Sequence, residues 1–482
     1  YGMWAIDSSF AMNLGGILTG GTSAHGMVAE EGSEATNSGT IVTSGDEAAG
    51  MVAGDESTAT NSGSIVTTGN RAEGMAAYSD SLVENTAGGT IATSGDEAYG
   101  MFAQWGSSAD NAGSIVTLGL GAHGMLASGD SEIFNSGTIL TSGDLSDGMA
   151  AQNNSSADNS GSIRTKGEFA YGMAARVGSY AVNGPAGTIV TGGSYAYGML
   201  ANYESAATNL GSIATSGDFA TGIAIANDSS GTNGASGIIV TSGEGATGML
   251  AVPDSSAINN GSIVTSGLEA HGIEVRMNST GGNGGGTIVT SGAEAHGMLA
   301  LQNSYVFNDG SIDTWGDGSH GMVASDDSAA DNFDTITTHN DHAFGMRAVQ
   351  SSDIDNSGSI HTVGLESHGM SAEKSSRAIN YDSITTSGDA AIGMKADGDS
   401  LAISVGSIET DGENAYGMYI RSVSTGSNSR SIVTHGDGAV GILAGLGSEA
   451  TNGENGTIAT EGAHAHGMSG SIGTDLFNMG SI

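Results

Sequence analysis

One set of acidic side chains recurs at a fixed place in the chain and could carry chemistry. It lies nine positions after a recurring asparagine, as Asp46 lies after Asn37. The asparagine is taken as column zero, and extra residues in longer repeats are not counted. The acidic residues of column nine include Asp46, Asp96, Asp144, Asp218, Asp317 and Asp389. Like charges stacked at a strand spacing repel one another unless they are neutralised. Column nine therefore predicts a solvated face, with loose binding of Ca²⁺ or another divalent cation as the alternative.

Histidines recur in column twelve and fall in three consecutive repeats at His271, His296 and His320. Adjacent imidazoles can bind a transition metal or respond to acid. A ladder of flat side chains that covers a corner is the interpretation we favour, and no confident metal site is predicted. The chain has no cysteine, which excludes a disulfide framework and a thiolate metal site.

Signals for catalysis are weak. Serine and aspartate are abundant along the chain and its twelve histidines are spread over many repeats, so a match to a catalytic triad carries no information. Enzymes that cleave polysaccharides on a β-helix need clustered carboxylates, usually framed by long insertions, whereas insertions here never exceed two residues. We therefore predict that the protein is not an enzyme, and a polysaccharide-active β-helix enzyme is the least favoured alternative.

One motif of about 24 residues is repeated along the whole chain. The stretch 37–60 is followed at Asn61 by the same phrase, which reads N-x-G-[ST]-I-x-T-x-G-x-x-A-x-G-M-x-A and then a variable polar segment. Steps of 26 residues follow Asn85, Asn183, Asn233 and Asn452, and the extra residues always fall at one corner. A repeat whose columns all keep their register while one corner accepts extra residues is typical of a stacked solenoid.

Alternation within the motif predicts short strands. In I-x-T the outer residues keep their identity and the middle one varies, so Ile and Thr are expected to point inward and the middle residue outward. The same holds for Met51 and Ala53 around Val52, and a third strand is expected before the asparagine. The fold class is all-β, a single β-solenoid (parallel β-helix) of about twenty coils with three strands each, forming one domain over 1–482. Stacked asparagine amides should form a structural ladder, including Asn37, Asn61, Asn85, Asn111, Asn135 and Asn159.

Charge and composition restrict the partners. Eleven Lys and Arg residues against 52 Asp and Glu residues give a formal charge of −41, so nucleic acid and anionic membrane surfaces would be repelled. No apolar run approaches the ~20 residues of a membrane helix, so this segment should not insert directly. No signal peptide, polar cap or membrane barrel is recognisable. Both termini fall within a coil, which predicts either an excerpt of a longer chain or pairing with copies of itself, end-to-end or side-by-side.

The motif resembles the repeats in passenger regions of bacterial outer-membrane autotransporters and repetitive surface adhesins. The phrases that carry the resemblance are NSGTIVTSGDEAAGMVA, NAGSIVTLGLGAHGMLA and NNGSIVTSGLEAHGIEV, which begin at Asn37, Asn111 and Asn259. The resemblance covers essentially the whole chain and implies a right-handed β-helix displayed outside the cell. It transfers no catalytic residue and no specific ligand.

The favoured function is an extracellular structural rod, filament or stalk on a bacterial surface, possessing no cofactor of its own. The alternative is a dedicated adhesin that binds a host surface or glycan through an irregular patch near 332–384. In that stretch the corner glycine is replaced by Asp334 and Asp382, and His339 and His342 lie close in sequence.

Overall fold

The computed structural model describes all residues, 1–482, and contains strands, turns and bends but no helix. The chain divides into two compact units, Tyr1–Ala246 and Thr247–Ile482. Each unit is a parallel β-solenoid with three short strands per coil of about 24 residues, and the two units hold about twenty coils between them. The predicted fold class is therefore confirmed, while the single-domain organisation stays a prediction.

Three strand types alternate along the first unit, named here the Met, Asn and Ile strands after a residue of the motif. Its Met strands are Met3–Ala5, Met27–Ala29, Met51–Ala53, Met75–Tyr78, Met101–Gln104, Met125–Ser128, Met149–Gln152, Met173–Arg176, Met199–Asn202 and Ile223–Ala226. Its Asn strands are Phe10–Asn13, Glu34–Asn37, Thr58–Asn61, Leu82–Asn85, Ser108–Asn111, Glu132–Asn135, Ser156–Asn159, Tyr180–Asn183, Ala206–Asn209 and Ser230–Asn233. Its Ile strands are Gly16–Thr19, Thr40–Thr43, Ser64–Thr67, Thr90–Thr93, Ser114–Thr117, Thr138–Thr141, Ser162–Thr165, Thr188–Thr191, Ser212–Thr215 and Ile238–Thr241.

The second unit repeats the same order of strands. Its Met strands are Met249–Val252, Ile273–Arg276, Met298–Leu301, Met322–Ser325, Met346–Val349, Met370–Glu373, Ile392–Asp397, Tyr416–Arg421, Val440–Ala444 and His466–Gly470. Its Asn strands are Ser256–Asn259, Thr280–Asn283, Tyr305–Asn308, Ala329–Asn332, Asp353–Asn356, Arg377–Asn380, Leu401–Ser404, Thr425–Asn428, Glu449–Asn452 and Asp475–Asn478. Its Ile strands are Ser262–Thr265, Thr287–Thr290, Ser311–Thr314, Thr335–Thr338, Ser359–Thr362, Ser383–Ser387, Ser407–Asp411, Ser431–His435 and Thr457–Glu461.

The interior of each coil is built from the columns that the alternation predicts. Ile41, Thr43, Met51 and Ala53 are buried, and each pairs in register with the same residue type one coil further on. The buried Thr43 hydroxyl donates a hydrogen bond of 2.6 Å to the Ala48 carbonyl oxygen, so this polar group carries no unpaired-burial cost. The core therefore combines apolar side chains with threonines that bond to their own corner.

Column thirteen is glycine because successive coils approach closely there. A Cβ on Gly50 would lie 2.6 Å from the Gly74 carbonyl oxygen and would overlap the Ile65 side chain. Positive φ falls largely on non-glycine corner residues such as Glu47, whose φ is 57°.

The middle residue of the Met strand departs from the sequence prediction. It was expected to face outward into solvent, yet Ala76, Leu126 and Leu200 are buried. Leu126 and Leu200 belong to one buried cluster, and the large column-twelve side chains of Tyr171 and Tyr197 pack against that cluster. The Met strands are therefore apolar on both faces over much of the first unit.

The corner between the Ile and Met strands changes conformation from Ser383 onward. The Ile strands there gain a residue, and the Met strands begin before the Gly-Met pair. The Ala391 carbonyl oxygen now accepts the Tyr416 backbone N–H at 2.9 Å, so it no longer accepts from the core threonine. The hydroxyls of Thr386, Thr410 and Thr434 are consequently buried without a partner.

Candidate functional site: side-chain ladders and a charged groove

The Asn column forms a hydrogen-bonded ladder inside each unit. The Asn135 amide nitrogen donates to Asn159 Oδ1 at 2.8 Å, and Asn135 Oδ1 accepts from the Asn111 amide at 2.7 Å. The same amide nitrogen lies 3.4 Å from the Gly137 carbonyl oxygen of its own corner. Further links join Asn37 to Asn61, Asn61 to Asn85, Asn85 to Asn111 and Asn159 to Asn183. These buried residues satisfy one another, which assigns them a structural role.

A second ladder was missed at the sequence level. The serine four positions before the asparagine is buried, and its backbone N–H donates to the serine hydroxyl of the next coil, as from Ser107 to Ser131 Oγ at 3.2 Å. The only signal in the sequence is the repeated serine before the third strand. Serine fits because its small hydroxyl both donates and accepts.

Column nine places its carboxylates on exposed corners and gives most of them one shared bond. Asp46 Oδ1 accepts the backbone N–H of Asn70 in the next coil at 2.9 Å. The same bond is made by Asp96, Asp144, Asp218 and Asp389. No such bond forms at Asp317. Aspartate in this column thus accepts a backbone N–H of the following corner. This bond gives a structural reason for the recurrence of aspartate, in addition to the predicted cation binding.

The histidines His271, His296 and His320 stack on one another. Successive ring centroids lie 4.9 and 4.8 Å apart, and the stack continues through Phe344 to His368. His271 Nδ1 accepts the His296 backbone N–H at 3.0 Å, and His296 Nδ1 accepts that of His320 at 3.1 Å. An acceptor nitrogen carries no proton, so these rings are neutral with the proton on Nε2.

Burial sets the protonation of this ring stack. Burial, with a smaller contribution from the neighbouring Arg347 charge, lowers the pKa of His320 to about 3. Burial also lowers the pKa of His368 to about 3, assisted by Lys395. Since the Nδ1 lone pairs of His271, His296 and His320 are engaged by backbone amides, the stack offers only Nε2–H donors to a ligand.

A groove of about 520 Å³ lies beside the ring stack in the second unit. Glu373 lines it, with Oε2 3.0 Å from Arg347 Nη2 and Oε1 3.2 Å from Lys395 Nζ. Burial alone would raise the pKa of Glu373, but Lys395 and Arg347 outweigh it and hold the pKa at about 2. The Arg347 guanidinium lies 5.6 Å from the Phe344 ring centroid, and its Nε is buried without a partner. The groove is also lined by His296 and His320.

Much of this groove falls within the irregular stretch 332–384 that the sequence singles out. His342 lines the groove and its Nδ1 lies 3.5 Å from Glu366 Oε2. His339 has a different environment, since it stacks on Trp315 at 3.7 Å and contacts Asp313 at 2.7 Å. The groove extends beyond the predicted stretch to His296 on one side and Lys395 on the other.

Another groove lies on the Asn strands of the first unit. It has a similar volume, about 520 Å³, and is bounded by the widened corners that follow Asn85 and Asn183. Asp110, Phe134 and Asp158 line it, and burial raises the pKa of both aspartates. The two-residue insertions therefore do frame a shallow acidic groove, which the sequence reasoning did not anticipate.

The architecture defines the class of protein as an all-β parallel β-helix. The chain matches the family model described as BigA third pectate lyase-like domain over residues 1–89, 72–184, 218–332 and 272–429, and it belongs to that family. The pectate lyase-like name refers to the fold. No curated protein matches the chain.

A solved structure, described as the cryo-EM structure of the Vag8–C1 inhibitor complex, is similar to this chain at 16% identity. The alignment covers 96% of this chain and 99% of the other, with a TM-score of 0.38. The structure contains no helix that is long and apolar enough to cross a membrane. The family and the fold identify the chain as a passenger-type β-helix, a class that is secreted and surface-exposed, and its location is extracellular.

Acid should destabilise the second unit through the ring stack. His320 keeps a depressed pKa of about 3 when folded, whereas an unfolded histidine titrates near ~6.5. The unfolded state therefore binds more protons between these values, so the histidine contribution is complete above ~6.5 and is lost as pH falls towards 3. The slope is at most ~1.4 kcal/mol per pH unit for each such histidine. The measurement is the unfolding midpoint as a function of pH.

His320→Phe should flatten this pH dependence, because phenylalanine already occupies the next place in the stack at Phe344. His361→Phe is the matched control, since His361 is exposed on an Ile strand. A wild-type protein whose unfolding midpoint is unchanged between pH 6.5 and 3.5, or a His320→Phe variant with the wild-type profile, would contradict the assignment.

Proposed function

We propose that the protein is an extracellular structural scaffold of the rod or stalk type on a bacterial surface. The observation that supports this most is the in-register repetition within each unit, where each coil offers the next the same core columns and, with Ser404 as an exception, the same asparagine amide. Coils that contact only their neighbours can be added or removed without altering the rest. Such repetition suits a spacer and provides few unique sites.

The proposal assigns no catalytic role to the chain. In the charged groove the Glu373 carboxylate is already paired with Arg347 and Lys395. A catalytic acid and base need access to substrate at a shared reacting centre. The ion pairs around Glu373 are better suited to holding a ligand or a strand than to moving a proton.

Removal of whole coils should shorten the protein without unfolding it. Deletion of residues 37–134 takes out four complete coils and joins Thr36 to Asn135, so every column keeps its register. We expect the melting temperature to be nearly unchanged and the maximum dimension in small-angle X-ray scattering to fall by ~19 Å, four strand spacings. Deletion of residues 37–122 ends in mid-coil and should misfold. An intact length after the first deletion, or equal folding of both variants, would contradict the scaffold proposal.

A second function is favoured by the groove at Glu373, namely binding of an acidic glycan. Six of the eleven basic residues of this strongly acidic chain lie between 347 and 430: Arg347, Lys374, Arg377, Lys395, Arg421 and Arg430. Arg347 and Lys395 reach the groove, where His296 and His320 add neutral Nε2–H donors. Cationic and neutral donors around one concave surface match carboxylate or sulfate groups on sugar rings.

Binding should depend on the two groove cations. An Arg347→Gln, Lys395→Gln double variant should lose at least ~10-fold in affinity for a heparin oligosaccharide, measured by isothermal titration calorimetry, because two charge-assisted bonds are removed. Arg71→Gln is the control, since Arg71 forms an exposed pair with Glu97 in the first unit. The oligosaccharide should be recovered uncleaved. Equal affinity of the double variant and the control, or equal binding of neutral dextran, would refute this second function.

A further inference from the structure

Column seven changes character in three consecutive coils near the end of the second unit. This position follows the core threonine and is serine in many coils, as at Ser44 and Ser142. In the last coils it becomes Asp411, His435 and Glu461. Carboxylate and imidazole are both metal-ligating groups, and neither is needed for the core because the position faces away from it.

The altered corner places these residues in register. From Ser383 onward the Ile strands extend by one residue, so column seven becomes part of the parallel ladder. Asp411 pairs with His435, and His435 pairs with Glu461. Side chains on adjacent parallel strands in register lie about 4.8 Å apart, a separation that a metal ion can bridge. In the earlier coils the strand ends at the threonine, so column seven lies outside the ladder.

Carboxylate oxygens lie close to both ring nitrogens of the His435 imidazole. Carboxylate oxygens of Glu409 and Asp411 and a ring nitrogen of His435 all lie within 4.8 Å of one another. His435 Nε2 is 3.5 Å from Glu409 Oε1, close to the ~3.4 Å that separates two donors on a tetrahedral ion with bonds of ~2.1 Å. His435 Nδ1 lies 3.1 Å from Glu461 Oε2.

The contact with Glu461 reproduces a recurrent feature of metal centres. A histidine that binds metal through one nitrogen usually donates its other N–H to a carboxylate, which fixes the tautomer and the ring orientation. Glu461 occupies that position, and it leaves Nε2 directed at Glu409 and Asp411. None of the three carboxylates forms an ion pair with Lys or Arg, so they place a formal charge of −3 around the His435 imidazole.

We propose that Glu409, Asp411 and His435 Nε2 bind a divalent transition-metal ion of the Zn²⁺ class, with Glu461 as the positioning residue. Three protein ligands leave a further coordination position for water or for a donor from a neighbouring molecule. The imidazole selects against Ca²⁺ and Mg²⁺, which prefer oxygen ligands. This site is separate from the column-nine carboxylates, which include no histidine partner, and it does not depend on either proposed function.

The test is isothermal titration calorimetry of the full chain, freed of metal with a chelator, against ZnCl₂ and separately against CaCl₂. We expect one Zn²⁺ site that His435→Gln weakens at least ~100-fold and that Glu461→Gln weakens by ~10-fold, the usual range for the loss of an orienting partner. His361→Gln is the control, since His361 also points outward from an Ile strand but has Thr337 and Thr385 as its neighbours in register. Circular dichroism before titration establishes that each variant is folded.

The proposal would be overturned by Zn²⁺ binding that His435→Gln leaves unchanged, by Ca²⁺ binding as tight as that of Zn²⁺, or by no saturable Zn²⁺ binding in the wild-type chain. A loss of affinity in His361→Gln equal to that in His435→Gln would likewise show that exposed histidines bind Zn²⁺ without a built site. Loss of binding in His435→Gln together with retention in His361→Gln supports it.

Discussion

Stacking of each side chain on its counterpart one coil away is the constraint on which the rest of the structure depends. In a parallel, in-register solenoid a column persists only if its residue can pack or bond with a copy of itself. Asparagine meets this condition because its amide donates from Nδ2 and accepts at Oδ1, as along Asn111, Asn135 and Asn159. Where Ser404 replaces asparagine, the bond from Asn380 lengthens to 3.4 Å, so the short hydroxyl extends the ladder poorly.

The same constraint governs charge. Stacked histidines are stable only as neutral rings, which the backbone bonds to Nδ1 and the lowered pKa of His296 both favour. At the charged groove the signs of neighbouring ionised side chains alternate, since Glu373 lies between Arg347 and Lys395. The groove and the candidate metal cluster are thus both places where a column stops repeating itself. Functional diversity in this fold arises from such departures, while the repeated columns maintain the scaffold.

Much of the fold was predictable because periodicity two in I-x-T and G-M-x-A specifies which side chains face the core, and Ile41 and Met51 are buried as expected. The burial of Leu126 was not predictable, since it depends on aromatic rings from other coils packing against the same face. The corner change at Ser383 follows from which donor the Ala391 carbonyl accepts, a choice that no local motif encodes. The irregular stretch was identified from sequence. That Lys395 lines the groove could not be predicted, because it depends on how the coils stack.

Hydrogen–deuterium exchange in an Asn135→Ala variant tests most directly whether the asparagine ladder holds the coils in register. Removal of this buried amide deletes the bond from Asn111 Nδ2 and the bond to Asn159 Oδ1, at a cost of ~1–3 kcal/mol. Local opening should therefore accelerate exchange in 132–141 by at least ~10-fold. Ser136→Ala, at the adjacent exposed position, should leave exchange nearly unchanged. Equal protection of this segment in the two variants would contradict the account.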